Sequence, residues 1–249
     1  MKISIITICF NSSATIENAI RSVLSQTCLN VEYIIVDGKS TDKTLEVISK
    51  YKDRIAKIVS EKDEGIYFAL NKGIALATGD VIGLLHSDDF YANEKILARV
   101  ADEFNKRNVE SVYGDLQYVN KNNVAKIFRH WKAGEYNEGI FIKGWVPPHP
   151  TFFVKKSVYE KLGTFNTQLK TAADYELMLR FLHKHKITTS YIPEVLVKMR
   201  VGGKSNVSLK NRIKANREDR LAWELNGVEP GFFTFLSKPL SKISQFFKA

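Results

Sequence analysis

The sequence predicts an α/β fold: a mostly parallel central sheet with helices on both faces, followed by a C-terminal helical extension. Three observations carry this expectation. From Ile3 to Arg107, short runs rich in Ile and Val alternate with segments of helical apolar spacing. The runs are apolar at nearly every position, as strands covered on both faces must be. Clusters of Asn, Asp, Ser, Thr and Gly separate one segment from the next.

The elements follow in order. Ile3–Cys9 reads as a strand. Asn11-Ser12-Ser13 reads as a cap before a helix whose apolar positions are Ile16, Ala19, Ile20, Val23 and Leu24. Val31–Val36 is a second buried strand, ending at Asp37 and the turn-and-cap cluster through Asp42. A helix over Leu45–Tyr51 and a strand over Ile55–Val59 come next. Tyr67–Ala77 has helical spacing and stops at Thr78-Gly79; Val81–Leu85 is the fourth strand, and Ile96–Phe104 a helix. Beyond Arg107 the rhythm changes. Short strands are expected at Ser111–Tyr113, Leu116–Val119 and Val124–Phe128, the last two joined around Asn120–Asn123. Trp145–Pro150 holds three prolines and is expected to be extended, because each restricts the residue before it. Helices are expected over Ser157–Leu162, Asp174–His185 and Asn206–Asn226, with a glycine loop at Val201–Ser205.

Composition narrows the class. A chain of 249 residues can bury a full core, and 44% hydrophobic with 26% charged residues is ordinary for a globular protein. Cys9 and Cys28 form no ligand or redox spacing, so a reducing compartment is expected. No apolar run reaches the length of a membrane span, and the N-terminus lacks the features of a secretion signal. A cytoplasmic location follows. The net charge is +10, and Lys204–Ala249 alone carries nine basic and four acidic residues. Such a tail suits an anionic partner, whether nucleotide phosphate, membrane surface or nucleic acid.

The acidic residues carry the chemistry. Asp37 follows the second strand, Glu61 and Asp63 the third, Asp88 and Asp89 the fourth. In a parallel sheet these ends share the edge at which open α/β proteins bind ligands. Adjacent carboxylates repel, and a hard cation such as Mg²⁺ or Mn²⁺ holding a substrate phosphate relieves the repulsion. A helix-cap role for Asp88 and Asp89 is the competing reading. Lys72 is a candidate phosphate contact, and His149 a candidate acceptor or phosphate contact.

Taken together, Ile5–Asn11, Ile35–Asp42, Ser60–Tyr67, Asn71–Ala75, Thr78–Asp80, Ser87–Asp89, His149–Phe153 and Ala173–Leu177 resemble the GT-A fold glycosyltransferases of family 2. These are inverting nucleotide-sugar enzymes of bacterial surface-polysaccharide synthesis. The resemblance spans about Lys2 to Ser205 and implies a Rossmann-like domain over 1–205. Its nucleotide-sugar half would be about 1–110 and its acceptor half about 111–205, with 206–249 as the extension. It implies that Thr7, Asn11, Asp37 and Asp63 hold the base and ribose of the donor. Asp88 would lie near the nucleotide, Asp89 on a Mg²⁺ or Mn²⁺ ion, and Arg200 and Lys204 on the diphosphate. It makes Asp174 the general base. Ala173 stands where many members have Glu, and Gly38 where many have a second Asp. A Gln-x-x-Arg-Trp signature of processive synthases is absent, which implies one sugar per encounter. UDP is the donor carrier that the family most often uses.

Phe232, Leu236, Leu240, Ile243 and Phe247 form a helical apolar stripe beside Lys238, Lys242 and Lys248. A basic amphipathic helix over 231–249 can lie on the inner membrane surface. That suits a saccharide acceptor on a polyprenyl diphosphate, which the family's pathways imply. Other readings fit less well. A nucleotidyltransferase of related fold needs a Gly-rich, Arg-bearing loop after the first strand, and Asn11-Ser12-Ser13 has neither. A nucleic-acid-binding protein accounts for the charge but not for carboxylates along one sheet edge.

Overall fold

The computed structural model describes residues 1–202, 209–231, 234 and 235. Nine strands form one sheet: β1 Ile3–Cys9, β2 Val31–Asp37, β3 Lys57–Ser60, β4 Val81–Leu84, β5 Phe90–Tyr91, β6 Ser111–Val119, β7 Ile127–Trp131, β8 Phe153–Lys155 and β9 Thr189–Arg200. The order is β3-β2-β1-β4-β8-β6-β9-β5, with β7 paired to β6 beyond β8. β3, β2, β1 and β4 run parallel, as the alternating sequence requires. β8 is antiparallel to β4 and β6, and β9 runs parallel to β6. The result is a mixed, mostly parallel sheet.

Helices α1 Ile16–Leu24, α2 Thr44–Ser49, α3 Ile66–Leu76 and α4 Ile96–Arg107 connect the first half. Two apolar layers result. One packs α1 and α4 on one face through Ile16, Ile20, Ile96, Val100 and Phe104; the other packs α3 on the opposite face through Leu70 and Ile74. Gly73 shows how close α3 lies: a Cβ there would come within 2.3 Å of Ile6 Cγ2. Cys9 is a buried core residue, as expected.

Several expectations need correction. Ser111–Tyr113 and Leu116–Val119 are one strand, β6, whose pairing with β9 is irregular at Gly114 and Asp115. The hairpin partner is Ile127–Trp131, three residues later than expected. β9, β5 and β8 were not foreseen. Asn11-Ser12-Ser13 supplies no side-chain cap to α1, which starts after Thr15; the Ser12 carbonyl accepts from the Thr15 and Ile16 N–H groups. Helix α5 is Lys156–Leu162. Helix α6 covers only Ala173–Met178 before the backbone widens to a π-helix over Leu179–Lys184. The 203–205 part of the glycine loop lies outside the described residues.

Helix α7, Leu209–Asn226, docks on α6. The wholly buried Trp223 donates from Nε1 to the Tyr175 hydroxyl at 2.8 Å, and Asn226 Nδ2 donates to Glu176 Oε1 at 3.0 Å. Thr234 then ties the chain to the Ile142 carbonyl at 2.7 Å.

At the N-terminal ends of β1, β2 and β4, Glu32 is 5% exposed and accepts from Ser4 Oγ at 2.6 Å, Thr78 N–H at 2.7 Å, Thr78 Oγ1 at 2.6 Å and Lys2 Nζ at 3.0 Å. Burial alone would raise its carboxyl. The four donors outweigh burial and bring it down to about 2 from 4.5. A depressed folded pKa gives stability that is present above pH 4.5 and lost as pH falls from 4.5 toward 2. Denaturant unfolding at stepped pH is expected to show wild type losing on the order of 2–3 kcal/mol more than Glu32→Gln across that window.

Candidate active site

Each parallel strand delivers its carboxylate to the same edge, but each meets different surroundings. Asp37 ends β2 and is wholly buried. Its Oδ1 accepts from Ser40 Oγ at 2.5 Å, and its Oδ2 from Ser40 N–H at 3.0 Å and Ser60 Oγ at 2.6 Å. Asp42, not Asp37, serves the start of α2: its Oδ1 accepts from the Thr44 N–H at 2.9 Å. Asn11, at the end of β1, takes a left-handed φ of 50°. It pins the neighbouring turn by accepting from the Thr41 N–H at 2.9 Å. Thr7 lies deeper than expected. It is wholly buried and its Oγ1 accepts from the Tyr33 hydroxyl at 3.1 Å, so its side chain is a core group and the strand meets the edge at Phe10 and Asn11.

Lys72 does not stand clear as a cation awaiting phosphate. Its Nζ lies 2.6 Å from Asp63 Oδ1 and 2.7 Å from Glu61 Oε1. One ammonium from α3 thus gathers both carboxylates after β3. Asp63 Oδ2 is buried and has no partner.

The turn after β4 is closed by the Asp89 N–H donating to the His86 carbonyl at 3.0 Å. Asp88 is half-buried, and Arg200 Nη1 donates to its carbonyl at 2.5 Å. The same guanidinium donates through Nη2 to Asn18 Oδ1 at 3.0 Å and stacks 5.0 Å from the Phe90 ring centroid. Asp89 is wholly buried, and among the described residues neither of its carboxylate oxygens has a well-formed hydrogen bond. Burial pushes its carboxyl far above the usual range, and the Asp88 charge adds to this. The approach of the Arg200 backbone N–H and guanidinium opposes the rise only in part. Neither aspartate caps a helix: α4 starts at Ile96 and its N-cap is Lys95.

An unpaired buried carboxylate is costly unless something positive meets it. The donor set of Asp89 with Asp88 fits a hard, oxygen-seeking cation. Among the described residues no group of three or more His, Cys, Asp or Glu forms a complete metal cage.

Asp174 lies in the first turn of α6 and is brought to the same side. Tyr67 OH donates to its Oδ1 at 3.2 Å, and His149 Nδ1 sits 3.3 Å from its Oδ2. Burial, then the Asp174 charge, raises the Tyr67 phenol, so it stays a donor at every working pH. His86 meets the His149 ring edge-on at 5.6 Å, and burial followed by the His149 charge lowers it to about 4. Tyr118, under the Arg129 guanidinium at 4.2 Å, is raised by burial and feels both Asp89 and Asp174. The two acidic centres are linked through two histidines: Asp89 N–H bonds the His86 carbonyl, the His86 ring meets His149, and His149 lies against Asp174. Sequence reasoning missed His86, Tyr67 and Tyr118. Only His86, one residue before Ser87-Asp88-Asp89, carried a local signal. Lys204 lies outside the described residues.

A mostly parallel sheet with carboxylates along its C-terminal edge, extended by the antiparallel β8 and the β6–β9 pair, defines a GT-A-type α/β fold. Comparison with known proteins agrees. The solved structure of S. aureus TarS superposes with a TM-score of 0.71, at 19% identity over 98% of this chain and 72% of that one. A mannosyltransferase from Pyrobaculum calidifontis, solved with GDP-Man and Mn²⁺, gives 0.66 at 16% identity over 100% and 76%. The sequence model described as Glycosyl transferase family 2 matches residues 4–163, so the chain belongs to that family. A PGL/p-HBAD biosynthesis glycosyltransferase of Mycobacterium tuberculosis is 29% identical over 82% of this chain and 78% of its own length. A second M. tuberculosis glycosyltransferase, of uncharacterized function, is 30% identical over 72% and 68%.

Burial disfavours the charged form of Asp89, so a neutral amide in its place should not weaken the metal-free protein. Asp89→Asn is expected to leave the melting temperature of chelator-treated protein unchanged or higher, while the stabilisation of wild type by Mn²⁺ disappears. Differential scanning fluorimetry with and without Mn²⁺ reads both effects.

Proposed function

We propose that the protein is a metal-dependent, inverting glycosyltransferase that moves one sugar from a nucleotide-diphosphate sugar to a hydroxyl of a saccharide acceptor. The observation that carries this is that two unlike carboxylates, Asp89 and Asp174, are linked through the adjacent His86 and His149. Among the described residues neither oxygen of the buried Asp89 has a well-formed hydrogen bond, whereas Asp174 accepts from Tyr67 and lies against His149. The first calls for a cation; the second is a carboxylate kept open to a proton. UDP is the proposed carrier. Structural neighbours were solved with UDP-GlcNAc and with GDP-Man, which supports a nucleotide-sugar donor.

The residues divide the work. Asn11 and Asp37, with Asp63, would receive the nucleoside at the ends of β1, β2 and β3. Asp37 already holds Ser40 and Ser60 in place, so its role toward the ribose would run partly through their hydroxyls. Lys72 would act by orienting Asp63 and Glu61, and Arg200 by fixing the Asp88 backbone while offering charge to the diphosphate. Asp89, with Asp88 beside it, would hold Mg²⁺ or Mn²⁺, which supplies positive charge against the diphosphate when bound. Asp174 takes the proton of the acceptor hydroxyl as that oxygen bonds to the anomeric carbon. The bond to the diphosphate breaks, and its electron pair leaves with the phosphate oxygen. A single displacement inverts the configuration. Tyr67 and His149 hold the carboxylate of Asp174 at the angle needed for this step.

The acceptor is proposed to be lipid-linked, in polysaccharide assembly, with the protein peripheral on the cytoplasmic face of the membrane. Among the described residues no helix is long and apolar enough to cross a membrane. The basic apolar stripe, whose residues lie outside the described residues, would supply the contact. The alternative of a nucleic-acid-binding protein is not favoured by any feature of the cleft.

Two outcomes follow. Asp174→Asn should lower turnover by at least about a thousandfold while nucleotide affinity changes less than about threefold, read by nucleotide release and by calorimetry; near-normal turnover would remove Asp174 as the base. In flotation with anionic vesicles, the full chain should rise with the lipid, whereas a chain ending after Phe235 should stay in the dense fraction.

A further inference from the structure

We infer that Glu218, on α7, is a positioning residue for the general base, an inference that rests on the assignment of Asp174 above. One oxygen of Glu218, Oε2, accepts from the backbone N–H groups of Lys170 at 3.0 Å, Thr171 at 2.7 Å and Ala172 at 3.1 Å. It also accepts from Thr171 Oγ1 at 2.8 Å. Three consecutive N–H groups aimed at one carboxylate oxygen form a concave backbone nest. The last of them belongs to Ala172, the N-cap of α6, two residues before Asp174.

The far side of Asp174 is held by the same helix. Trp223 bonds Tyr175, the next residue, and Asn226 bonds Glu176, the one after. Glu218, Ala222 and Asn226 fall at i, i+4 and i+8, so one face of α7 reaches both sides of the base. Ala222, Trp223 and Asn226 are at most 2% exposed, so docking of this face does not depend on Glu218. What Glu218 adds is the path of the backbone into the first turn of α6. Asp174 lies in the first turn of α6, whose N–H groups have no partner within the helix, so what holds the residues before it sets how the chain enters that turn. The direction of the Asp174 side chain therefore depends on how the turn before it is held.

The test uses the full-length chain with Mn²⁺ and whichever of UDP-glucose, UDP-N-acetylglucosamine or GDP-mannose it hydrolyses, with water as acceptor. Glu218→Ala is expected to lower kcat about tenfold or more, with donor KM within about twofold of wild type and little change in melting temperature. Glu218→Gln, whose amide oxygen can accept from the same N–H groups, is expected to recover most of kcat. If the Ala variant does not fold, Glu218→Asp, one methylene short, takes its place with the same expectations. The inference is overturned if kcat stays within twofold of wild type, if kcat and KM change together, or if Gln performs no better than Ala. Asp174→Asn is run beside them. An active Asp174→Asn removes the base assignment itself, whereas an inactive one beside a fully active Glu218→Ala removes only the role of Glu218.

Discussion

The site depends on a concentration of negative charge that the topology makes unavoidable. β1 to β4 are parallel neighbours, so the carboxylates that follow β2, β3 and β4 come to one edge. Five of them cannot all lie there unpaired. Asp37 is surrounded by hydroxyl and N–H donors, and Glu61 and Asp63 share Lys72. Among the described residues Arg200 meets Asp88 through its main-chain carbonyl, and Asp89 keeps two oxygens without a well-formed bond. Asp89 is thus the carboxylate of this edge with the least compensation.

That second half brings the opposite requirement. Asp174 is surrounded by donors that leave it accessible: Tyr67 from α3, and His149 from the turn before β8. Tyr67 belongs to the β1–β4 half of the sheet and His149 to the turn before β8. Asp174 therefore sits on the seam, and its position reports on both halves. α7 closes the arrangement from behind through Glu218, Trp223 and Asn226. Helix α7 is accordingly a part of the structural frame of the site and not only a polar surface element.

Much of the first half was legible because buried parallel strands and amphipathic helices write strong patterns. Ile3–Cys9 matches β1 residue for residue, and the carboxylate register followed from counting strand ends. β9 escaped notice for a physical reason. Its sequence contains Pro193, which normally argues against a strand in the body of a sheet. In the structure Gly114 pairs with Ile192 and Asp115 with Val195, so Pro193 and Glu194 bulge out of the ladder. β5 and β8 are two and three residues long, too short for any periodicity. The catalytic surroundings were legible as residues but not as partners. Asp174 and His149 both stood out, yet nothing in their spacing announced that they lie 3.3 Å apart.

The lysine and arginine of the site show most clearly where sequence reasoning stops. A cation near a nucleotide-binding edge invites a phosphate assignment, but its first partner is whatever acid the fold places nearest. For Lys72 that is Asp63 and Glu61, one turn and a loop away. Arg200 is different. Burial lowers its pKa, and the charges of Asp89 and Asp88 oppose the fall, so the guanidinium stays a cation beside the acidic pair. Its two amino groups are spent on a carbonyl and an amide oxygen, neither of them charged. The guanidinium therefore fixes the geometry of the Asp88 turn without cancelling Asp89. Full neutralisation by an internal arginine would leave a structural ion pair with little pull on a cation. In the proposed metal site, Arg200 at the end of β9 leaves both Asp89 oxygens without a well-formed hydrogen bond, so they stay available to a cation.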